Sequence, residues 1–101
     1  MKIRDYLKTE DQWVKGTLAV TKAGKSSTVS HPETHRRCLL GWVRFCYDIP
    51  SEQQKILKQI AEFICPTQSF DKDVRRNLAL LDWNDANEFE DIKNLVETLD
   101  I

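Results

Sequence analysis

The sequence has little of what several small-domain classes depend on. Glycine and proline number only three each, too few for the turn-rich chain of an all-β fold. Cysteines are also three, Cys38, Cys46 and Cys65. The odd number and the absence of any C-x-x-C pair argue against a disulfide framework and for reduced thiols in a cytoplasm. No apolar run approaches the roughly 18 residues of a membrane span, and the opening MKIRDYLKTEDQW has no apolar region of a secretory signal. Gly16, Gly24 and Gly41 lie too far apart for a phosphate-cradling loop, and no G-x-S-x-G elbow occurs.

Charge of a single sign is also missing. The net charge is −1, which argues against direct nucleic-acid binding, where a clear basic excess is the rule. The charge is uneven, however. Residues 1–50 carry nine Lys and Arg against five Asp and Glu, residues 51–81 five against four, and residues 82–101 one against seven. A mildly basic front therefore precedes an acidic last helix.

A chain of 101 residues with 41% apolar side chains is long enough for one core and reads as a single domain, 1–101. Its periodicities predict an α+β fold, mostly α, with one β-hairpin packed on four or five helices. Ile3, Tyr6 and Leu7 predict a short helix over 2–9. Val14, Thr17, Val20, Thr21, Thr28 and Val29, split by K-A-G-K, predict the hairpin over about 13–29, with Gly24 available for a positive φ. Ser30 and Glu33 are spaced as a capping box with Pro32 in the first turn, predicting a central helix from 30 to about 47.

Ser51 with Gln54 predicts the next cap, and Cys65-Pro66 the end of that helix. Ser69 or Asp71 would start a helix carrying Val74, Leu78 and Leu81, with the next break at L-D-W-N-D-A-N. Asn87 with Glu90 would cap a last helix whose inner face is Phe89, Ile92, Leu95, Val96 and Leu99.

Three constellations bear on chemistry. His35 and Cys38, at i, i+3 on the expected central helix, would meet on one face, as an imidazole and a thiolate nucleophile do. Against that, Cys38 lies on the apolar arc and reads more readily as a small buried residue. His31, His35 and Cys38 lack the second ligand pair that a structural zinc site uses, so no metal and no cofactor is expected. Asp82, Asn84 and Asp85 would suit a divalent cation or an acid/base pair, but fit a tight interhelical turn better, with Trp83 plugging the core. Lys22, Lys25, His35, Arg36, Arg37 and Arg44 form a candidate basic patch, and Asp85, Glu88 and Asp91 a candidate acidic face.

W-V-K-G-T-L-A at 13–19, C-L-L-G at 38–41 and W-N-D-A at 83–86, followed by a terminal amphipathic helix, resemble an uncharacterised family of short bacterial and phage proteins. Arg37 stands where that family often has Trp, and A-N-E-F-E replaces its Pro-Gly turn. The resemblance implies a phage- or mobile-element-borne domain with Gly16, Cys38, Gly41, Trp83, Asn84 and Asp85 as signature positions. It carries no activity. Gly41, on an otherwise polar stripe of its helix, predicts close approach of another backbone, that of the hairpin near Gly16.

The resulting expectation is a non-catalytic protein-binding or regulatory protein. Its concrete form is an inhibitor of a host protein, of the anti-CRISPR sort, whose partner is a host or cellular protein such as a nucleic-acid-handling complex. The alternatives are a cysteine-dependent enzyme using Cys38 and His35, and a nucleic-acid-binding module using the basic hairpin region. Within S-H-P-E-T-H-R-R-C, function is expected in His35, Arg36 and Arg37 rather than in the thiol.

Overall fold

The computed structural model describes residues 2–68, 70 and 72–101. Its elements run α1 (Ile3–Tyr6), a 3-10 turn (Glu10–Gln12), β1 (Ala19–Thr21), β2 (Thr34–Arg37), α2 (Leu39–Cys46), α3 (Pro50–Ile64), α4 (Asp73–Ala86) and α5 (Phe89–Thr98). This is an α+β domain, mostly α, with one antiparallel strand pair. No described helix is long and apolar enough to cross a membrane.

The helix α2 lies at the centre. Leu39, Leu40, Trp42 and Val43 are buried among Ile3 and Leu7, Leu57 and Ile60, Leu80, and Ile92, Leu95 and Val96. These side chains come from α1 and its following residue, α3, α4 and α5, and burying each contributes about 1.5–3 kcal/mol. The expected inner face of α5 is realised, with Leu99 partly buried against the same core. Near the chain ends, Ile3 N–H donates to the Ile101 carbonyl, and Lys2 and Arg4 reach Asp100 at 2.7 and 2.8 Å. Hydrogen bonds from those two cations hold the Asp100 carboxyl below its ordinary 3.8.

The largest departure from the sequence reading falls at residues 30–38. The central helix does not begin at Ser30. Residues 34–37 are instead a strand, paired with β1 as Ala19↔Arg37, Val20↔Arg36 and Thr21↔Thr34. The K-A-G-K turn forms as expected, closed by Gly24 N–H to Thr21 O at 2.9 Å with Gly24 at φ +86°. Its return arm bridges only Val20 with Ser26, and the ladder partner of β1 arrives from residues 34–37.

The pairing skips from Arg36 to Thr34 between Val20 and Thr21, leaving His35 as the extra residue of a bulge. The S-x-x-E signal is local and carries no information about an available strand edge. Here tertiary pairing outweighs it.

The true cap of α2 is Cys38, whose Sγ accepts from Gly41 N–H at 3.4 Å. Other boundaries shift for local reasons. Pro50 occupies the first position of α3, so Ile49 is its cap and Ser51–Gln54 forms no box. The helix ends at Ile64, with Cys65 as C-cap and Pro66 next. The expected starts Ser69 and Asp71 lie outside the described residues; α4 begins at Asp73 after Lys72. Val74 and Leu78 are exposed on it, while Arg76, Leu80 and Asn84 face inward. The expected break at 81–87 falls within the last turns of α4, which runs through Ala86. The cap of α5 is Glu88, one residue later than expected, with Asp91 Oδ2 accepting from Glu88 N–H at 3.0 Å.

Candidate functional site

The three sequence motifs converge on one buried junction. Asn84 is fully buried and answers four groups. Its Oδ1 accepts from Trp13 Nε1 at 2.7 Å and from Leu39 N–H at 2.9 Å. Its Nδ2 donates to Val14 O at 3.1 Å and to Asp85 Oδ1 at 3.0 Å. Asp85 in turn accepts from Gly16 N–H at 2.9 Å, and Gly16 sits at φ +80°, where glycine is the residue without steric cost.

Cys38 N–H donates to Leu18 O at 3.0 Å, and Gly41 lies so close to that same carbonyl that a Cβ would overlap it. The close approach expected at Gly41 is therefore real, and Leu18 supplies it. Trp83 is half-buried against the core. A polar constellation that looked like a turn or a cation site is thus a splint joining residues 13–18, the start of α2 and the end of α4. Leu39 N–H, one of the orphan donors of a helix start, is satisfied by Asn84 from across the fold.

Cys38 and His35 do not share a helical face, because the helix starts after both. The thiol is buried, and burial pushes its pKa above the ordinary 9.0 against weaker opposing hydrogen bonds from the backbone. Burial likewise pushes Cys46 up to about 11. His35 Nε2 lies 3.4 Å from Asp11 Oδ2. Asp11 is held below 3.8, first by the Thr9 hydroxyl and then by His35. Thiolate chemistry needs a depressed pKa and access. Cys38 is therefore expected to resist iodoacetamide between pH 5 and 9 in the folded protein and to label fully in denaturant, checked by mass spectrometry of the tryptic peptide. Rapid native labelling would reinstate the cysteine-enzyme alternative.

His31, His35 and Cys38 do not form a ligand cluster; among the described residues no three His, Cys, Asp or Glu side chains are grouped to hold a metal ion. The basic residues do not form one patch. Lys22 and Lys25 are exposed at the hairpin turn, Arg36 is exposed, Arg37 is buried and Arg44 is half-buried on α2. Adjacent strand residues face opposite ways, which separates Arg36 from Arg37. The acidic residues are exposed but engaged: Asp85 holds Gly16 and Asn84, Glu88 lies 3.6 Å from Lys15 Nζ, and Asp91 caps α5. Part of the front-to-back charge complementarity is therefore spent inside the molecule.

What the fold does bring together is a surface cleft of about 380 Å³ between α1, the 30–35 segment and α2. The Arg37 side chain, 6% exposed, lines it together with Tyr6, Trp42, Phe45, His31 and His35. The guanidinium Cζ lies 3.8 Å from the Phe45 ring centroid and 4.9 Å from that of Trp42, and its Nε donates to Val29 O at 2.9 Å. The rings brace one another: Trp42 and Phe45 meet edge-on at 5.9 Å, and Tyr6 stacks on Trp42 at 6.3 Å. Trp42 Nε1 is fixed by Gln12 O at 3.1 Å. Burial draws the guanidinium pKa below its ordinary value.

The expectation placed function in His35, Arg36 and Arg37. The structure puts His35 and Arg37 in the cleft and Arg36 in a neighbouring groove with Asp11 and Glu88. The aromatic walls were not legible as such, since Trp42 and Phe45 belong to the helical apolar pattern.

Fold and site together define a small α+β domain with a buried cation opening onto an aromatic cleft. No family model matches the chain, and it matches no curated protein and no solved structure.

Proposed function

We propose that this protein is a non-catalytic protein-binding domain that receives an anionic group of its partner in the Arg37 cleft. One observation carries the reading. Arg37 is buried, yet no Asp or Glu forms an ion pair with it among the described residues. Covering an unpaired charge on most of its sides is costly, and cation–π contacts return only part of that cost. An anion entering the cleft would supply the rest. The thiol, by contrast, serves as a helix cap, and the W-N-D carboxamide and carboxylate serve as a splint.

The concrete form, an inhibitor of a host-defence protein of the anti-CRISPR sort, is supported by the resemblance of the W-V-K-G-T-L-A, C-L-L-G and W-N-D-A motifs alone. The test is affinity capture from host lysate with the wild-type protein and with His31→Glu, which sets a negative charge at the cleft. The wild type is expected to retain a discrete set of proteins that the variant loses and that weakens as salt rises. Retention of the same set by both proteins, or of nothing by the wild type, refutes the reading.

A further inference from the structure

Arg37 is buried, yet the protein engages only one of the three nitrogens of its guanidinium among the described residues. Nε holds Val29 O. Among the described residues neither Nη1 nor Nη2 has a hydrogen bond. The Phe45 and Trp42 rings answer the flat face of the guanidinium but leave its N–H edge unmatched, and that edge is the part that recognises oxyanions in a two-pronged way.

Around the same cleft stand further donors. His31 Nδ1 accepts from Glu33 N–H at 3.1 Å, so the neutral ring carries its proton on Nε2. His35, the bulged residue of β2, lines the cleft but its Nε2 is taken by Asp11 Oδ2 at 3.4 Å. Ser30 adds a hydroxyl to the lining. Among the described residues no carboxylate lines the cleft; Asp11, the partner of His35, lines the neighbouring groove.

We infer that the cleft binds a phosphate monoester, with the Arg37 edge gripping two of its oxygens and His31 and the Ser30 hydroxyl donating to the third. The inference rests on the proposed function and names the anionic group. A carboxylate has two oxygens and one charge, which the guanidinium alone would satisfy. A phosphate monoester carries a charge of about −1.5 to −2 and three acceptor oxygens, which calls for donors beyond a single guanidinium. A cleft of about 380 Å³ also exceeds a bare phosphate and leaves room for the ester group beside the aromatic rings. The same chemistry arrives on a phosphorylated side chain of a protein or on a small phosphate ester.

The test is a nitrogen-15 NMR titration of the whole chain with phenyl phosphate, inorganic phosphate and a short phosphoserine peptide. Benzoate and chloride at matched ionic strength are the controls. Phenyl phosphate is expected to give saturable shifts at Arg37 Nε–H and at amides 30–37, with affinity at least about tenfold above benzoate. Arg37→Lys is expected to weaken it about tenfold or more, since an ammonium lacks the paired edge. Because Arg37 also packs on two rings, His31→Ala is the second variant; His31 is exposed, and its loss is expected to weaken binding roughly fivefold with the spectrum otherwise unchanged.

A phosphopeptide tighter than phenyl phosphate identifies a phosphorylated protein as the source, and equal affinity a small ester; either supports the inference. Shifts no larger than those with benzoate or chloride, or affinity unchanged in both variants, overturn it. Should the capture experiment retain a partner while phosphate esters give no shift, the inference fails and the proposed function stands. Phosphate-ester shifts without any retained partner give the reverse.

Discussion

Replacing Asn84 by alanine is expected to cost about 3–5 kcal/mol of folding stability, the largest effect of any polar substitution in this chain. The reason is what the truncation leaves behind. Trp13 Nε1 and Leu39 N–H lose their acceptor, and Val14 O loses its donor, at a site with no solvent exposure. Each stranded buried group costs about 1–3 kcal/mol, and the total falls short of the sum because the groups share one site and relax together.

A domain of this length holds only about 5–15 kcal/mol in all, so the variant should lose half or more of its margin. Urea denaturation followed by tryptophan fluorescence checks this, because Trp13 reports directly on the junction. Leu78→Ala is the control: Leu78 is 54% exposed, and a change within about 0.5 kcal/mol is expected there. A loss below about 1 kcal/mol for Asn84→Ala would mean that water replaces the carboxamide, and the splint would not be the tie that joins the three motifs.

Gly41→Ala is expected to destabilise by about 2–3 kcal/mol, against the ordinary sign for a helix position. In an exposed helix interior that change gains about 1 kcal/mol. At Gly41 the new methyl would overlap the Leu18 carbonyl and lie 3.2 Å from Arg37 Cβ. The carbonyl cannot simply swing away, because it also accepts from Cys38 N–H. The helix and the 13–18 segment must separate, and overpacking of this kind costs about 1–3 kcal/mol before the lost hydrogen bond is counted. The same thermal or urea melts decide the matter. Unchanged or increased stability would show that the two backbones part at no cost, and the close approach would then not explain the glycine. Because Arg37 Cβ is the second neighbour, the variant should also perturb the cleft, visible as altered Arg37 Nε–H shifts.

Several elements were readable without coordinates because they depend on neighbours in sequence. The inner face of α5 follows from spacing alone. The end of α3 follows from Cys65-Pro66, and the positive φ of Gly24 from a four-residue turn. Even the close approach at Gly41 was readable, since a glycine on a helix stripe has few other uses.

The segment from Ser30 to Cys38 was not readable in this way. Its capping-box spacing is a sound local signal, but a strand edge at Ala19–Thr21 competes for residues 34–37, and only the folded chain makes that edge available. Once the strand forms, Arg37 turns inward and His35 becomes the bulge. The thiol expected beside an imidazole becomes a cap instead. Asn84 is the other case: W-N-D reads as a turn because asparagine and aspartate favour turns, whereas three remote backbone and indole groups hold it as the last turn of a helix.

By itself, then, the sequence determined the class of fold, the helical faces that build the core and the glycines that let backbones turn or touch, all of them consequences of local sterics and of apolar periodicity. The tertiary structure alone decided which polar residues are splints and which face a ligand. A side chain's hydrogen-bond partners lie 71 residues away for Asn84 and Trp13 and 8 for Arg37 and Val29, and a buried cation with no ion-pair partner among the described residues becomes visible only once everything around it is in place.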